Sequence, residues 1–153
     1  MKKYFTILFI LLAAINTNAQ PKTLVQDKEN LFTIDEITRL DSMLQHYRQQ
    51  TGKLVLIVTD TADISEATYS NQITKQYVPD STKKVFVFML LLSRKNQLLF
   101  TAVNEPLRPF VTQELLLEIM NAGIPSLKEK RREESALLIC KKAMEFLDGL
   151  SEK

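Results

Sequence analysis

An uninterrupted run of five apolar residues, Leu54 to Val58, most constrains what this chain can fold into. The run is short and rich in β-branched residues, so it is typical of a strand covered on both faces. We expect Gly52 to end the preceding helix, because glycine enters the left-handed backbone region at little cost. The rest of the chain is organised around this strand.

The N-terminal residues have the composition of an export signal. A basic pair precedes an apolar run from Tyr4 to Ile15, and small residues lead up to Ala19. The apolar run is shorter than the ~20 residues of a membrane-spanning helix, which favours a cleaved signal peptide over 1–19. A retained anchor is the alternative. We therefore expect a periplasmic or secreted protein with one domain over 20–153 and no transmembrane segment in the mature chain.

The charge balance argues against nucleic acid as a partner. The chain has 20 Lys and Arg and 18 Asp and Glu, but Lys2 and Lys3 belong to the signal, so 18 of each sign remain after cleavage. A chain without net charge has no overall field that attracts nucleic acid or an acidic membrane. Cys140 is the only cysteine, so the core must hold the domain without an internal disulfide.

Helical and strand patterns alternate along the chain. Thr33 and Glu36 form a capping box, and apolar residues then recur at spacings of three and four. The predicted elements are a helix over 33–51, a strand over 53–59, a helix from Asp63 to Pro79, strands over 85–92 and 98–103, a helix over 112–122 closed by Gly123 and Pro125, a solvated charge run over 128–134, and a last helix to Leu147.

This order of elements predicts the fold class. Strands that alternate with helices call for crossover connections and parallel pairing. The strands over 85–92 and 98–103 are separated by a polar turn, so they form a hairpin that adds an antiparallel strand. The prediction is a three-layer α/β/α sandwich on a mixed sheet of about four strands.

Several stretches also resemble a known family. Val25-Gln26-Asp27 with the segment 31–36 is similar to an opening motif, and residues 51–59 are similar to a Thr-Gly strand motif, of TPM domains. Tyr69, Ile73, Tyr77, the strand over 85–92 and Pro125 fit further positions of that family. The resemblance to these thylakoid-lumen and "TPM phosphatase" proteins implies a Rossmann-like fold, divalent-metal binding, acid phosphatase activity as in plant members, and partner-protein roles at membranes.

The chain departs from the family pattern at three places. Lys84 stands where the family has a glycine, and Gln113 stands where it has an aspartate. The segment 103–107 replaces the family's Gly-x-Gly-x-Glu turn, where Glu105 is the residue similar to the turn glutamate. These departures weigh against the metal binding and the activity that the resemblance implies.

The residue types give no nucleophile for phosphoryl transfer. Cys140 lies on the apolar face of the last helix and lacks the arginine that follows the cysteine of cysteine phosphatases. His46 is the only histidine and lies among polar residues in mid-helix, where solvent exposure is expected. No Asp-x-Asp pair is present for an aspartyl-phosphate mechanism. We therefore predict no catalytic residue.

Asp27 and Asp60 are the candidate metal ligands. Each follows a predicted parallel strand, and the carboxyl ends of such strands share the edge where open α/β sheets bind ligands. Carboxylate oxygens are ligands for Ca²⁺ or another divalent cation. The alternative is that both are surface acids.

The loop that precedes the third helix is a second candidate site. Asn104, Glu105, Arg108 and Thr112 are its candidate ligand-binding residues. Two prolines stiffen this loop, and Arg108 lies shortly before a helix N-terminus, which favours anions. A plain strand-to-helix connection is the alternative.

Taken together, these features predict an exported binding or assembly module of the cell envelope without catalytic activity, whose partner is an envelope protein. A weak acid phosphatase that depends on a divalent metal is the alternative. The sequence specifies neither the partner nor the oligomeric state.

Overall fold

The structure is a computed structural model that describes residues 22–60, 66–79, 84–94 and 98–150. The predicted signal over 1–19 and the expected helix cap at Asp63 lie outside these residues. Within the described ranges the strands are β1 (Val25–Asp27), β2 (Leu54–Thr59), β3 (Val87–Ser93) and β4 (Leu98–Val103), and the helices are α1 (Ile34–Thr51), α2 (Glu66–Tyr77), α3 (Gln113–Asn121), α4 (Ile124–Lys128) and α5 (Arg132–Asp148).

The strands form one mixed sheet in the order β1-β2-β3-β4. β2 pairs parallel with β1 and β3, and β4 pairs antiparallel with β3. Asp27 lies opposite Thr59, which lies opposite Leu92, so the three parallel strands end at one edge. Val103 lies opposite Phe88, so β4 ends at the other edge. The predicted mixed sheet and its hairpin are confirmed.

Helices cover both faces of this sheet. α1 and α5 contact each other, and between them they pack on β1, β2 and β3. Successive side chains of a strand point to opposite faces of the sheet, so Gln26 lies on the face opposite to Val25 and Asp27. On that face, Gln26 Nε2 donates a hydrogen bond to the Tyr77 hydroxyl of α2 at 2.7 Å, which places α2 there. The result is the predicted three-layer sandwich, and β2 is buried along its whole length.

α1 begins and ends as its sequence predicts. The Thr33 side chain accepts a hydrogen bond from the Glu36 N–H, and the Glu36 carboxylate accepts one from the Thr33 N–H at 2.6 Å. Gly52 ends the helix at a φ of 71° and donates its N–H to the Arg48 carbonyl oxygen at 2.8 Å. Both ends of the helix therefore have their backbone groups satisfied locally.

The end of the third helix differs from the prediction. Gly123 and Pro125, which the sequence places as its terminators, begin the short helix α4 instead. Proline fits the first turn of a helix, because the N–H that it lacks has no partner there. Gly123 is buried against α5, where an added Cβ would lie 2.6 Å from the Ser135 carbonyl oxygen and the Ile139 Cγ1.

A buried lysine holds the C-terminal end of α5. Lys53 is 8% exposed, and its Nζ donates to the carbonyl oxygens of Leu147 and Leu150 at 2.6 and 3.0 Å. These acceptors belong to a helix end whose carbonyls lack partners within the helix. Nearby, the Tyr47 hydroxyl of α1 donates to Asp148 Oδ1 at 2.8 Å. Burial, and then this contact with Asp148, raise the pKa of Tyr47.

None of the helices in the described ranges is both long enough and apolar enough to cross a bilayer.

We expect Cys140 to react slowly with a water-soluble thiol reagent in the folded protein. Its side chain is fully buried on α5, and burial raises its pKa to about 12. At pH 9 an exposed thiol, whose pKa is ~8.5, would be mostly thiolate, whereas the folded Cys140 keeps its proton. Absorbance-monitored labelling at pH 9, native and in denaturant, measures the difference. Native labelling as fast as in the unfolded chain would show that α5 is not docked.

Candidate functional site

The Asp27 carboxylate is bonded to groups of this chain at the carboxyl edge of the sheet. Its Oδ1 accepts hydrogen bonds from the Leu31 N–H at 3.0 Å and from the Thr59 hydroxyl at 2.6 Å. Its Oδ2 accepts one from the Phe32 N–H at 2.9 Å. Asp27 therefore anchors the β1–α1 loop to the end of β2.

A tight turn after β1 brings the backbone amides to Asp27. Asn30 adopts a φ of 51°, in the left-handed region that asparagine enters more readily than most residues. The turn reverses the chain, so that the Leu31 and Phe32 amides face back toward the end of β1. An aspartate that accepts backbone hydrogen bonds a few residues ahead is a common way to stabilise such turns.

Glu29 fastens the same loop to the end of β3. Its carboxylate accepts hydrogen bonds from the Ser93 hydroxyl at 3.0 Å and from the Arg94 N–H at 2.8 Å. Its own N–H donates to the Thr59 hydroxyl oxygen at 3.0 Å. The Thr59 hydroxyl, fully buried, thus links Glu29 to Asp27, and the loop lies over the ends of β2 and β3.

Asp60 lies at the same edge as Asp27, as the sequence predicts. Its Oδ2 forms an ion pair with Lys28 Nζ at 2.5 Å, in which the lysine side chain is half exposed. Asp27 and Asp60 thus come from adjacent strand ends, but each already contacts other groups of the chain.

The residues predicted as metal ligands supply two carboxylates at this edge, those of Asp27 and Asp60. Ca²⁺ takes about 6–8 oxygen ligands, and Asp27 Oδ1 already accepts two hydrogen bonds, whereas its Oδ2 accepts one. Among the residues that the structure describes, no three His, Cys, Asp or Glu side chains are grouped as metal ligands would be. Metal binding at Asp27 and Asp60 stays a prediction.

A cavity of about 250 Å³ lies beside the bonded loop. Four leucines from the β1–α1 loop, β3, β4 and α4 form its apolar wall, and three polar residues complete its lining. The apolar residues are Leu31, Leu92, Leu99 and Leu127, and the polar ones are Ser93, Arg94 and Arg132.

The loop before α3 is held at the opposite edge of the sheet. Asn104 is 4% exposed, and its side chain accepts from the Val87 N–H at 3.0 Å and donates to the Val85 carbonyl at 2.8 Å. Thr112 caps α3 by accepting from the Leu115 N–H. Glu105 and Arg108 form an exposed ion pair at 3.2 Å.

A plain strand-to-helix connection accounts for these contacts. Ligand binding by this loop stays a prediction. The loop is separate from Asp27 and Asp60, because the antiparallel β4 ends at the other edge of the sheet.

Sequence reasoning missed Glu29, Arg94 and Arg132. Arg94 follows the end of the second long apolar strand, and a polar residue there signals the carboxyl edge of a sheet. Arg132 carries no comparable signal, because it lies in the charge run over 128–134, which the sequence presents as a plain solvated segment. Most of that run is exposed, but Arg132 also lines the cavity.

The sheet order and its helical layers define a small α/β sandwich with a covered carboxyl edge. The chain belongs to the TPM domain family, whose model matches residues 25–145.

Three solved structures share the fold. The chain is similar to the N-terminal domain of a protein from P. gingivalis, with 18% identity, 86% of this chain and 85% of the other covered, and a TM-score of 0.67. The BA42 protein from the psychrophilic bacterium Bizionia argentinensis matches with 13% identity, 82% and 93% coverage, and a TM-score of 0.63. The N-terminal domain of the cg2496 protein from Corynebacterium glutamicum matches with 15% identity, 81% and 79% coverage, and a TM-score of 0.55. Among curated proteins no relative matches.

Proposed function

We propose that this TPM domain is an exported binding or assembly module of the cell envelope that has no catalytic activity of its own. The observation that carries the proposal is the internal bonding of Asp27. The acid that the family resemblance points to as a metal ligand accepts three hydrogen bonds from its own chain. A carboxylate used in this way holds a loop in place, which is what a rigid binding surface requires.

Bonds from Glu29 to β3 support the same function. With Asp27 they fix the β1–α1 loop over two strand ends, beside the leucine-lined cavity. Apolar cavities with a few convergent polar groups are typical of sites that bind a partner or ligand. The arrangement offers a shaped surface at the carboxyl edge of the sheet.

The test is an assay of phosphate-ester hydrolysis by the purified mature protein at acid and neutral pH with calcium, magnesium or manganese. Calcium titration by calorimetry is done on the same sample. We expect no turnover above the background and no saturable heat, because the Asp27 carboxylate already accepts three hydrogen bonds from its own chain. Metal-dependent turnover that disappears in Asp60→Asn, with folding retained, would overturn the proposal.

Asp60→Asn is the informative variant, and Asp27→Asn is the matched comparison. Loss of turnover in Asp27→Asn alone would have two explanations: the variant has lost a metal ligand, or it has lost the side chain that anchors the β1–α1 loop. Asp60 does not bond the β1–α1 loop amides as Asp27 does, so its neutralisation leaves the Asp27 anchor in place, and circular dichroism checks that the variant is folded. Turnover unchanged in both variants would come from a contaminant or from the loop of Glu105 and Arg108.

A metal-dependent acid phosphatase is the second candidate function. The observation in its favour is that Asp27 and Asp60 leave adjacent parallel strands at the same edge. The same assay decides between the two functions.

Export is tested separately by the intact mass of the protein from the envelope fraction. We expect a mass that lacks residues 1–19. A mass that includes them would make the protein an anchored one.

A further inference from the structure

We propose that the cavity beside the β1–α1 loop receives one apolar side chain of a partner protein, and that Arg94 and Arg132 bind a carboxylate next to that side chain. This inference rests on the proposed function and names the partner's chemistry: an acidic peptide segment with an apolar anchor residue.

The size of the cavity favours a single anchoring side chain. Its volume, about 250 Å³, lies below the ~300 Å³ at which sites for small molecules and cofactors begin. Protein interfaces commonly centre on one apolar side chain that fills a pocket of this kind. The four leucines of the wall provide the apolar surface for such a residue, and Ser93, Arg94 and Arg132 provide the polar part of the lining.

The charge around the cavity favours a carboxylate. The nearby acids have partners within the chain: Glu29 is bonded by Ser93 and the Arg94 N–H, and Glu133 is paired with Arg39. By contrast, no ion pair involves the guanidinium of Arg94 or Arg132 among the described residues. Two guanidinium groups that form no ion pair with the described residues lie beside an apolar cavity, and they match an apolar residue flanked by acids.

Arginine is well suited to this role. Its planar guanidinium binds carboxylates through two parallel hydrogen bonds, and it is enriched among the residues that dominate interface energies. Lys128 and Lys130 are also exposed, and since Glu129 between them is paired with Arg131, the α4–α5 turn has a small excess of positive charge. Because the predicted mature chain has no net charge, this positive surface is local and directs an acidic segment to one place.

The experiment is a titration of the ¹⁵N-labelled mature protein with a short blocked peptide that has a leucine between two aspartates, followed by NMR. We expect saturable shifts at Arg94, Leu127 and Arg132. A peptide with asparagines in place of the aspartates is expected to bind about tenfold more weakly or worse, and so is one with alanine in place of leucine. Equal binding of the three peptides, or no saturable shift at these residues, would overturn the proposal.

Variants of the protein test the two halves of the site. Arg94→Gln and Arg132→Gln should each lower the affinity for the Asp-Leu-Asp peptide about tenfold. Arg108→Gln, an exposed arginine at the opposite edge, is the matched control and should have no effect. Leu127→Phe fills the cavity, so this variant should bind the leucine peptide and the alanine peptide with equal affinity. Unchanged affinity in both Arg94→Gln and Arg132→Gln would contradict the assignment of the carboxylate.

Anionic phosphatidylglycerol vesicles distinguish a lipid from a peptide. Vesicle binding that needs Arg94 and Arg132, without peptide binding, would replace the proposed partner by a membrane surface and overturn the proposal. The phosphatase assay is independent of this titration. If the protein hydrolyses phosphate esters and still binds the peptide, the proposal of a non-catalytic function is wrong, but the proposal that the cavity binds an acidic peptide is supported.

Discussion

Asp27→Asn is expected to lower the free energy of unfolding by about 2–3 kcal/mol. The carboxylate accepts hydrogen bonds from two backbone amides and one hydroxyl, and bonds to a charged acceptor are stronger than bonds to a neutral one. An asparagine keeps one oxygen but turns an NH₂ group toward a backbone N–H, so one donor would lose its partner. Urea unfolding followed by circular dichroism measures the change.

Asp35→Asn is the matched control for this prediction. Asp35 is an exposed aspartate in the first turn of α1, where its charge interacts with the helix N-terminus, worth about 0.3–1 kcal/mol, and with Arg39 one turn further on. Equal losses in the two variants would show that the Asp27 hydrogen bonds do not hold the loop. In the NMR spectrum, Asp27→Asn should also shift the amide signals of Leu31 and Phe32, whereas Asp35→Asn should leave them unchanged.

Gly123→Ala is expected to destabilise the fold by about 2–3 kcal/mol, although alanine is the better helix former. The added Cβ would lie 2.6 Å from a backbone oxygen of α5 and 2.6 Å from the Ile139 side chain. A backbone oxygen inside a packed helix cannot move without shifting the helix, so α4 and α5 must separate. The midpoint of thermal unfolding measures the effect.

Gly149→Ala is the control for the glycine prediction. The nearest atom to a Cβ built there is the Phe146 oxygen at 3.4 Å, an ordinary contact, and Gly149 is exposed. We expect its stability to stay within about 0.5 kcal/mol of the parent. A Gly123→Ala protein as stable as Gly149→Ala would show that the two helices are not in close contact.

The elements that sequence predicts well are those whose signals are local. Thr33 and Glu36 lie three residues apart and bond to each other, and Gly52 ends α1 through its own backbone conformation. The sheet follows from alternation of helices and strands with one short polar turn, which leaves few ways to pair the strands. Boundaries near α4 are less predictable, because proline is compatible both with the end of one helix and with the start of the next.

The site was less predictable because its contacts join distant parts of the chain. Asp27 is placed correctly at the sheet edge, but its hydrogen bonds depend on the left-handed turn at Asn30, which propensity alone does not specify. Arg94 and Arg132 meet at one cavity only after β3 and α5 have packed. A charge run in a sequence does not show which of its members faces an apolar wall.

The lysine that caps the last helix has a consequence for the order of folding. Lys53 and the Leu147 carbonyl that accepts its hydrogen bond are 94 positions apart in the sequence. Until α5 is in place, an ammonium group at the start of β2 has no acceptors there, and burying it unpaired would cost several kcal/mol. The central strand therefore reaches its native position only with the C-terminal helix. A chain emerging from the ribosome would therefore not complete this domain before α5 has been made.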